Sequence, residues 1–143
     1  MAKFYSDTDT RGQPAFLTPY TATHVVAGLA MYSLFSFLPP VWSALAALGL
    51  HTAYEVKDLA LFYTNQPPFP ERLFGEKLPE TEDDVPNTPL NSLGDTLGAA
   101  VGYALGALTG VRVSPLVALV GLVVIYLLRV TVVDVYSRHL GLG

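Results

Sequence analysis

The residues of this 143-residue chain that are best suited to chemistry are histidines and carboxylates set inside apolar stretches. His51, Glu55 and Asp58 are four and three residues apart, so they share one face if the segment is helical. Imidazole and carboxylate groups together can bind a divalent cation, and carboxylates can act in proton transfer. The spacing fixes neither a metal-ligand set nor a cofactor, and no nucleophile stands out.

Further ionisable or amide residues are expected at the same level along the helices as His51, Glu55 and Asp58, because four predicted helices begin or end at that level. The resulting group is called the polar cluster, and it comprises His24, His51, Glu55, Asp58, Asn91, Asp95 and Arg129. No residue is assigned a catalytic role from sequence, but Glu55, Asp95 and His24 are the candidates for one. Glu55 and Asp95 are the hardest to explain structurally, since both lie within apolar runs.

Structural roles compete with functional ones at the other positions. If the helices lie in a membrane, Lys57 and Arg129 are expected to extend their charged ends to the membrane–water interface. Asp58 and Asn91 can be interface residues, and Asn91 can alternatively be a helix N-cap. Asp95 near a helix start is favoured by the helix dipole.

The remaining polar side chains have structural alternatives as well. His51 is expected to be a hydrogen-bonded packing residue, and both a structural and a functional role stay open for His24. An ion pair between Glu55 and Arg129 is a further structural alternative.

The elements that must position these residues are predicted from apolar runs. The chain is 51% apolar and only 14% charged, against about 25% charged residues in a soluble domain. His24 is the only ionisable residue between Thr21 and Leu50, which is typical of a membrane span. We therefore predict an all-α integral membrane bundle of four transmembrane helices in two hairpins. The predicted spans are 21–38, 41–63, 91–109 and 115–133.

The segments outside the spans are predicted to be polar. They are an N-terminal arm (1–20), a loop at 64–90 with six prolines and an acidic run, and a tail (134–143). The distribution of lysine and arginine places both termini and the 64–90 loop on the cytoplasmic side. The absence of cysteine excludes disulfides and thiolate metal sites. A net charge of −4 with no basic stripe argues against a nucleic-acid partner.

Glycines recur every four residues along the third predicted helix. This glycine ridge comprises Gly94, Gly98, Gly102, Gly106 and Gly110. Residues four apart share a helix face, and small residues there let another backbone approach closely. The ridge therefore predicts a tight helix contact, either inside the chain or between copies.

Short motifs resemble VanZ-like small membrane proteins: a histidine in an early helix (His24), Glu55 in HTAYEVKD, and NSLGDTLGAAVGY at 91–103. The resemblance covers about 21–132 and implies a helical membrane fold with a candidate site, but no settled activity. Asn91 and Asp95 stand in the reverse order to the family's acid and amide. The arm, FYSD followed by PAFLTPYT, more faintly resembles small membrane proteins of large DNA viruses.

Three functions follow as hypotheses. The favoured one is a non-catalytic structural or assembly subunit of a membrane complex or virion membrane. Its expected partners are a lipid bilayer and proteins that dock on the glycine face, the arm and the 64–90 loop. The second is a VanZ-like protein whose Glu, Asp and His residues act on a lipid or glycan substrate, and the third is a proton or cation pathway. Whether the chain is an enzyme is left open.

Overall fold

The computed structural model describes residues 1–67, 78–112 and 114–128, and these residues are mostly helical. In chain order the elements are β1 (Lys3–Tyr5), β2 (Ala15–Leu17), α1 (Thr21–Phe35), α2 (Pro40–Asp58), α3 (Ala60–Thr64), a short 3-10 helix (Glu82–Asp84), α4 (Pro89–Thr109) and α5 (Pro115–Leu128). The two strands form a parallel pair, so the fold is not purely α-helical as predicted. Residues 68–77 of the predicted loop, Arg129 and the predicted tail lie outside the described residues.

The predicted four-span integral membrane bundle is wrong, because no helix in the described ranges is long and apolar enough to cross a membrane. α1 has 15 residues and the described part of α5 has 14, whereas a span needs roughly 20. α2 and α4 have 19 and 21 residues, but polar side chains such as Glu55 and Asp95 interrupt their apolar sequence. The predicted multi-pass membrane localisation, with termini and loop on the cytoplasmic side, is corrected by the same finding.

The apolar runs overstated the helix lengths for local reasons. α1 ends at Phe35, before the predicted end at 38, and α2 begins at Pro40. A proline is well accommodated in the first turn of a helix, where its missing N–H has no partner within the helix. The predicted second helix (41–63) is broken at Leu59 into α2 and α3. Leu59 N–H bonds the carbonyls of both Glu55 and Lys57, as at a helix end.

α4 packs against α1 and β2 through four glycines of the ridge. A methyl group at Gly94 would meet the carbonyl of Phe16 in β2, and one at Gly102 would meet the carbonyl of Val25 in α1. A methyl group at Gly98 would meet the carbonyl of Thr21, and one at Gly106 would meet the ring of Tyr32. The groove is thus filled by the chain's own arm and α1, which is the internal alternative for this ridge.

Two glycines depart from the predicted ridge. Gly110 lies outside the contact: it ends α4 with a φ of 68° and has no neighbour within 4 Å of an added methyl group. Gly28, on α1, completes the contact from the other side, because a methyl group there would meet the backbone of Ala99 and Tyr103. The two backbones therefore approach each other from glycines on both helices.

The N-terminal arm is tied to the start of α4 by Asp9. Its carboxylate accepts hydrogen bonds from the backbone of Ala15 at 2.8 Å and from both the backbone and hydroxyl of Thr88, at 2.6 and 2.8 Å. Thr88 in turn caps α4, with its hydroxyl accepting from the backbone of Asn91. Arg11 extends the attachment by donating to the carbonyl of Phe62. These bonds place the arm beside the start of α4 and beside α3.

We predict that Gly102→Ala lowers the free energy of unfolding by about 1–3 kcal/mol or more, because the methyl group must displace the α1 backbone. Gly49→Ala is the matched control: Gly49 is an exposed residue within α2 with no neighbour within 4 Å of an added methyl group. It should raise stability by roughly 0.5–1 kcal/mol through helix propensity. Chemical denaturation of both variants measures the difference, and equal effects would contradict the described α1–α4 contact.

Candidate functional site

Three helices bring four members of the polar cluster together. His24 lies in the first turns of α1, His51 and Glu55 lie one turn apart on α2, and Asp95 lies in the second turn of α4. All four are buried, with relative exposures of 7%, 4%, 5% and 5% respectively. Because the glycine contact draws α4 against α1, Asp95 reaches the level of His24. Burial of four ionisable groups at one place demands mutual contacts.

Three of these residues turn one atom each toward a common point. His24 Nδ1 lies 2.9 Å from His51 Nε2 and 3.5 Å from Glu55 Oε1. His51 Nε2 lies 3.6 Å from the same carboxylate oxygen. These three atoms are called the His–His–Glu triangle. Within the described part of the chain, His24, His51 and Glu55 form the group able to hold a metal ion.

The size of the triangle suits a small cation. Ligand atoms bound tetrahedrally at roughly 2.0–2.1 Å are about 3.3 Å apart, and the three observed separations scatter around that value. A circle through the three atoms has a radius of about 1.9 Å, so an ion at zinc-ligand distance would lie slightly out of their plane.

The opposite edge of the His24 ring faces α4. His24 Nε2 lies 3.4 Å from Asp95 Oδ2, on the side of the ring away from the triangle. The other Asp95 oxygen accepts a 2.6 Å hydrogen bond from the hydroxyl of Thr21. Asp95 is therefore a neighbour of the triangle and not a member of it.

The electrostatic setting of His51 favours its neutral form. Burial lowers the pKa of His51 below its ordinary value, and the nearby Asp58 carboxylate raises it in part. A metal-binding imidazole must be neutral, so the lowered pKa suits a ligand. Asp58 itself is buried, and its carboxylate lies 2.7 Å from Lys57 Nζ. Lys57 therefore contacts its neighbour and the ring of Tyr54, 4.7 Å away, instead of extending outward as predicted.

Of the remaining members of the polar cluster, the structure describes Asp58 and Asn91. Asn91 is buried one turn before Asp95, but it is not the N-cap of α4, because Thr88 has that role. Arg129 lies outside the described residues, so the predicted Glu55–Arg129 pair lies outside them too. Glu55 instead contacts the two histidines.

Two threonines of the site escaped sequence analysis. The hydroxyl of Thr21 accepts from the backbone N–H of Thr18 at 3.1 Å and donates to Asp95. Tyr20 occupies the N-cap position of α1. Threonine is common near the start of a helix, so the sequence gives no reason to single out Thr18 and Thr21. What marks them in the structure is that both side chains are buried.

Comparisons with protein-family models, with curated proteins and with solved structures give no match. The resemblance to VanZ-like proteins and the fainter one to viral membrane proteins therefore stay predictions that rest on short motifs.

We predict that the metal-free protein loses stability as pH falls through about 6.5, the ordinary histidine pKa. The pKa of His51 is lowered by folding, so the unfolded chain binds the proton first and stability rises with pH across that range. Denaturation with a chelator present, at several pH values between 5 and 8, measures the slope. His51→Gln should reduce the slope, and an unchanged slope would show that His51 titrates normally in the fold.

Proposed function

We propose that this protein binds a divalent transition-metal ion, with zinc the best fit, at the His–His–Glu triangle. The observation behind the proposal is the geometry of three buried ligand atoms from two helices, 2.9–3.6 Å apart, around one point. His24 Nδ1, His51 Nε2 and Glu55 Oε1 are the ligands. A fourth position remains for a water molecule or a further ligand.

The ligand types narrow the class of ion. Two imidazole nitrogens and one carboxylate oxygen suit zinc and neighbouring transition metals, whereas calcium and magnesium prefer sets of oxygens. The chain has no cysteine, so soft thiolate sites are excluded. Neutral imidazole is the form that binds metal, in keeping with the lowered pKa of His51.

The burial of the ligands supports a resident ion with a structural role. Their side chains are only 3–9% exposed. An ion held there would join α1, which carries His24, to α2, which carries the other two ligands. A structural ion is compatible with the favoured hypothesis of a non-catalytic protein. The alternative, a VanZ-like site that acts on a lipid or glycan, would use the same His24 and Glu55. The proton or cation pathway stays a hypothesis from sequence.

We predict that the full chain binds one zinc ion, with a rise in melting temperature because the ion binds only the folded state. His24→Ala, His51→Ala and Glu55→Gln should each weaken binding by more than about 100-fold, since losing an outer-shell partner alone costs 10–100-fold. Isothermal titration calorimetry with zinc measures the affinity.

Asp58→Asn is the matched control for this titration. It removes a buried carboxylate from the same helix, three residues after Glu55, but leaves the triangle intact. Its affinity should stay within a few-fold of wild type. Equal losses of zinc affinity in Asp58→Asn and Glu55→Gln would show that zinc is attracted by negative charge and not bound at the triangle. A wild-type chain that takes up no zinc would also contradict the proposal.

A second candidate function, an assembly subunit formed by self-association, is favoured by the outer face of α4. Large apolar side chains follow one another there at helical spacing, and they are 46–84% exposed. This leucine stripe comprises Leu93, Leu97, Val101, Leu105 and Leu108. Exposed apolar surface of this extent marks an interaction site. We propose a second copy of the chain as the occupant, because the stripe lacks charge and two-fold pairing sets identical surfaces together.

Leu97→Glu with Leu105→Glu should shift the chain from dimer to monomer, because each places a charge in the apolar contact. Light scattering after size-exclusion chromatography measures the mass. Thr52→Glu, an exposed position on α2 away from the stripe, is the control and should leave the mass unchanged. A wild-type chain that is monomeric at every concentration, or binds only added lipid vesicles, would contradict self-association.

A further inference from the structure

We infer that Asp95 is the positioning residue of the centre: it holds His24 with the proton on Nε2, so that Nδ1 presents its lone pair to the His–His–Glu triangle. The inference rests on the proposed metal function and adds the outer-shell group that prepares one ligand. It also gives α4, which contributes no ligand to the triangle, a part in the site.

The two nitrogens of His24 face different partners. Nε2 lies 3.4 Å from Asp95 Oδ2, while Nδ1 lies 2.9 Å from His51 Nε2 and 3.5 Å from Glu55 Oε1. A neutral imidazole has one protonated nitrogen and one lone pair. An ionised carboxylate can only accept, so it selects the tautomer with the proton on the nitrogen that it faces. The other nitrogen, Nδ1, is then the ligand atom.

The orientation of Asp95 is itself fixed by hydrogen bonds whose direction is known. Thr18 contributes a backbone N–H, which can only donate, and Thr21 Oγ1 accepts it at 3.1 Å. The Thr21 hydroxyl then donates its own proton to Asp95 Oδ1 at 2.6 Å. One carboxylate oxygen is thereby held by α1, and the second is left toward His24.

In many metal sites, a histidine that binds the metal through one ring nitrogen donates its other ring N–H to a carboxylate. Such a carboxylate fixes the tautomer and ring orientation of the histidine and increases its basicity. Here it also connects the metal centre to the N-terminal arm, because the first donor in the series is Thr18, which directly follows β2. Loss of Asp95 should therefore affect the His24 tautomer even before any metal is added.

The tautomer is the first measurement, made on the metal-free full chain by ¹⁵N NMR at about pH 8.5, roughly two units above the ordinary histidine pKa. Wild type and Asp95→Asn should show His24 protonated on Nε2, because the asparagine oxygen still accepts. Asp95→Leu should lose that preference. A wild-type His24 protonated on Nδ1, or a tautomer unchanged in Asp95→Leu, would overturn the inference.

Zinc affinity is the second measurement. Asp95→Leu should bind zinc 10–100-fold more weakly, and Asp95→Asn should recover most of that loss. Glu80→Gln, which removes an exposed carboxylate outside the site, should change nothing. If Asp95→Leu does not fold, Thr21→Val replaces it. This variant keeps the Asp95 carboxylate but removes the hydroxyl that bonds Asp95 and Thr18, and it should weaken zinc binding by up to about 10-fold. Unchanged zinc affinity in Asp95→Leu, or in Thr21→Val where Asp95→Leu does not fold, would overturn the inference.

The two measurements separate the failure of this inference from that of the metal function. A tautomer that depends on Asp95 in a chain that binds no zinc supports the positioning role and contradicts the metal proposal. A chain that binds zinc at the triangle with a tautomer independent of Asp95 supports the metal proposal and contradicts the positioning role.

Discussion

The close approach of the α1 and α4 backbones is the constraint on which the rest of the structure depends. Gly98 and Gly102 on α4 and Gly28 on α1 each lie against the main chain of the opposing helix, where a side chain would collide with it. Thr21 shows how this contact fixes the site. Its carbonyl lies over Gly98, while its hydroxyl donates to Asp95. The depth at which the helices pack therefore also decides which groups of α4 reach His24.

The interior of this protein is unusual in being polar where the helices meet. Among the described residues, an apolar cluster is formed by Met31, Ala47 and Ala99, with Ala27, Phe35 and Tyr103 packed against it. Beside it lie His24, His51, Glu55 and Asp95, all buried. Buried ionisable groups are costly unless they are paired or coordinate a metal. A cation in the His–His–Glu triangle would neutralise charge at that point and join α2 to α1.

The sequence contained the signal for the glycine contact, because a spacing of four residues defines a helix face. It also indicated that His24, Glu55 and Asp95 lie at one level, because each is near the beginning or the end of its helix. The prediction of four membrane-spanning helices was wrong, because an apolar run reports composition and not helix length. α1 ends at Phe35, and polar residues interrupt α2 and α4. Gly28 and Asp9 were beyond prediction, because a lone glycine in a helix and a lone aspartate in an arm gain meaning only from distant partners. The same holds for Thr21, whose partner is 74 residues away.

The central claim is that two histidines from different helices and one glutamate hold a metal ion. X-ray absorption at the zinc edge, on the full chain loaded with one equivalent of zinc, tests it most directly because it reports the ligands themselves. The account predicts a shell of nitrogen and oxygen at roughly 2.0–2.1 Å with the outer scattering of two imidazoles, and only one imidazole in His24→Ala. A shell of oxygen alone, or a wild-type spectrum unchanged in His24→Ala, would contradict it.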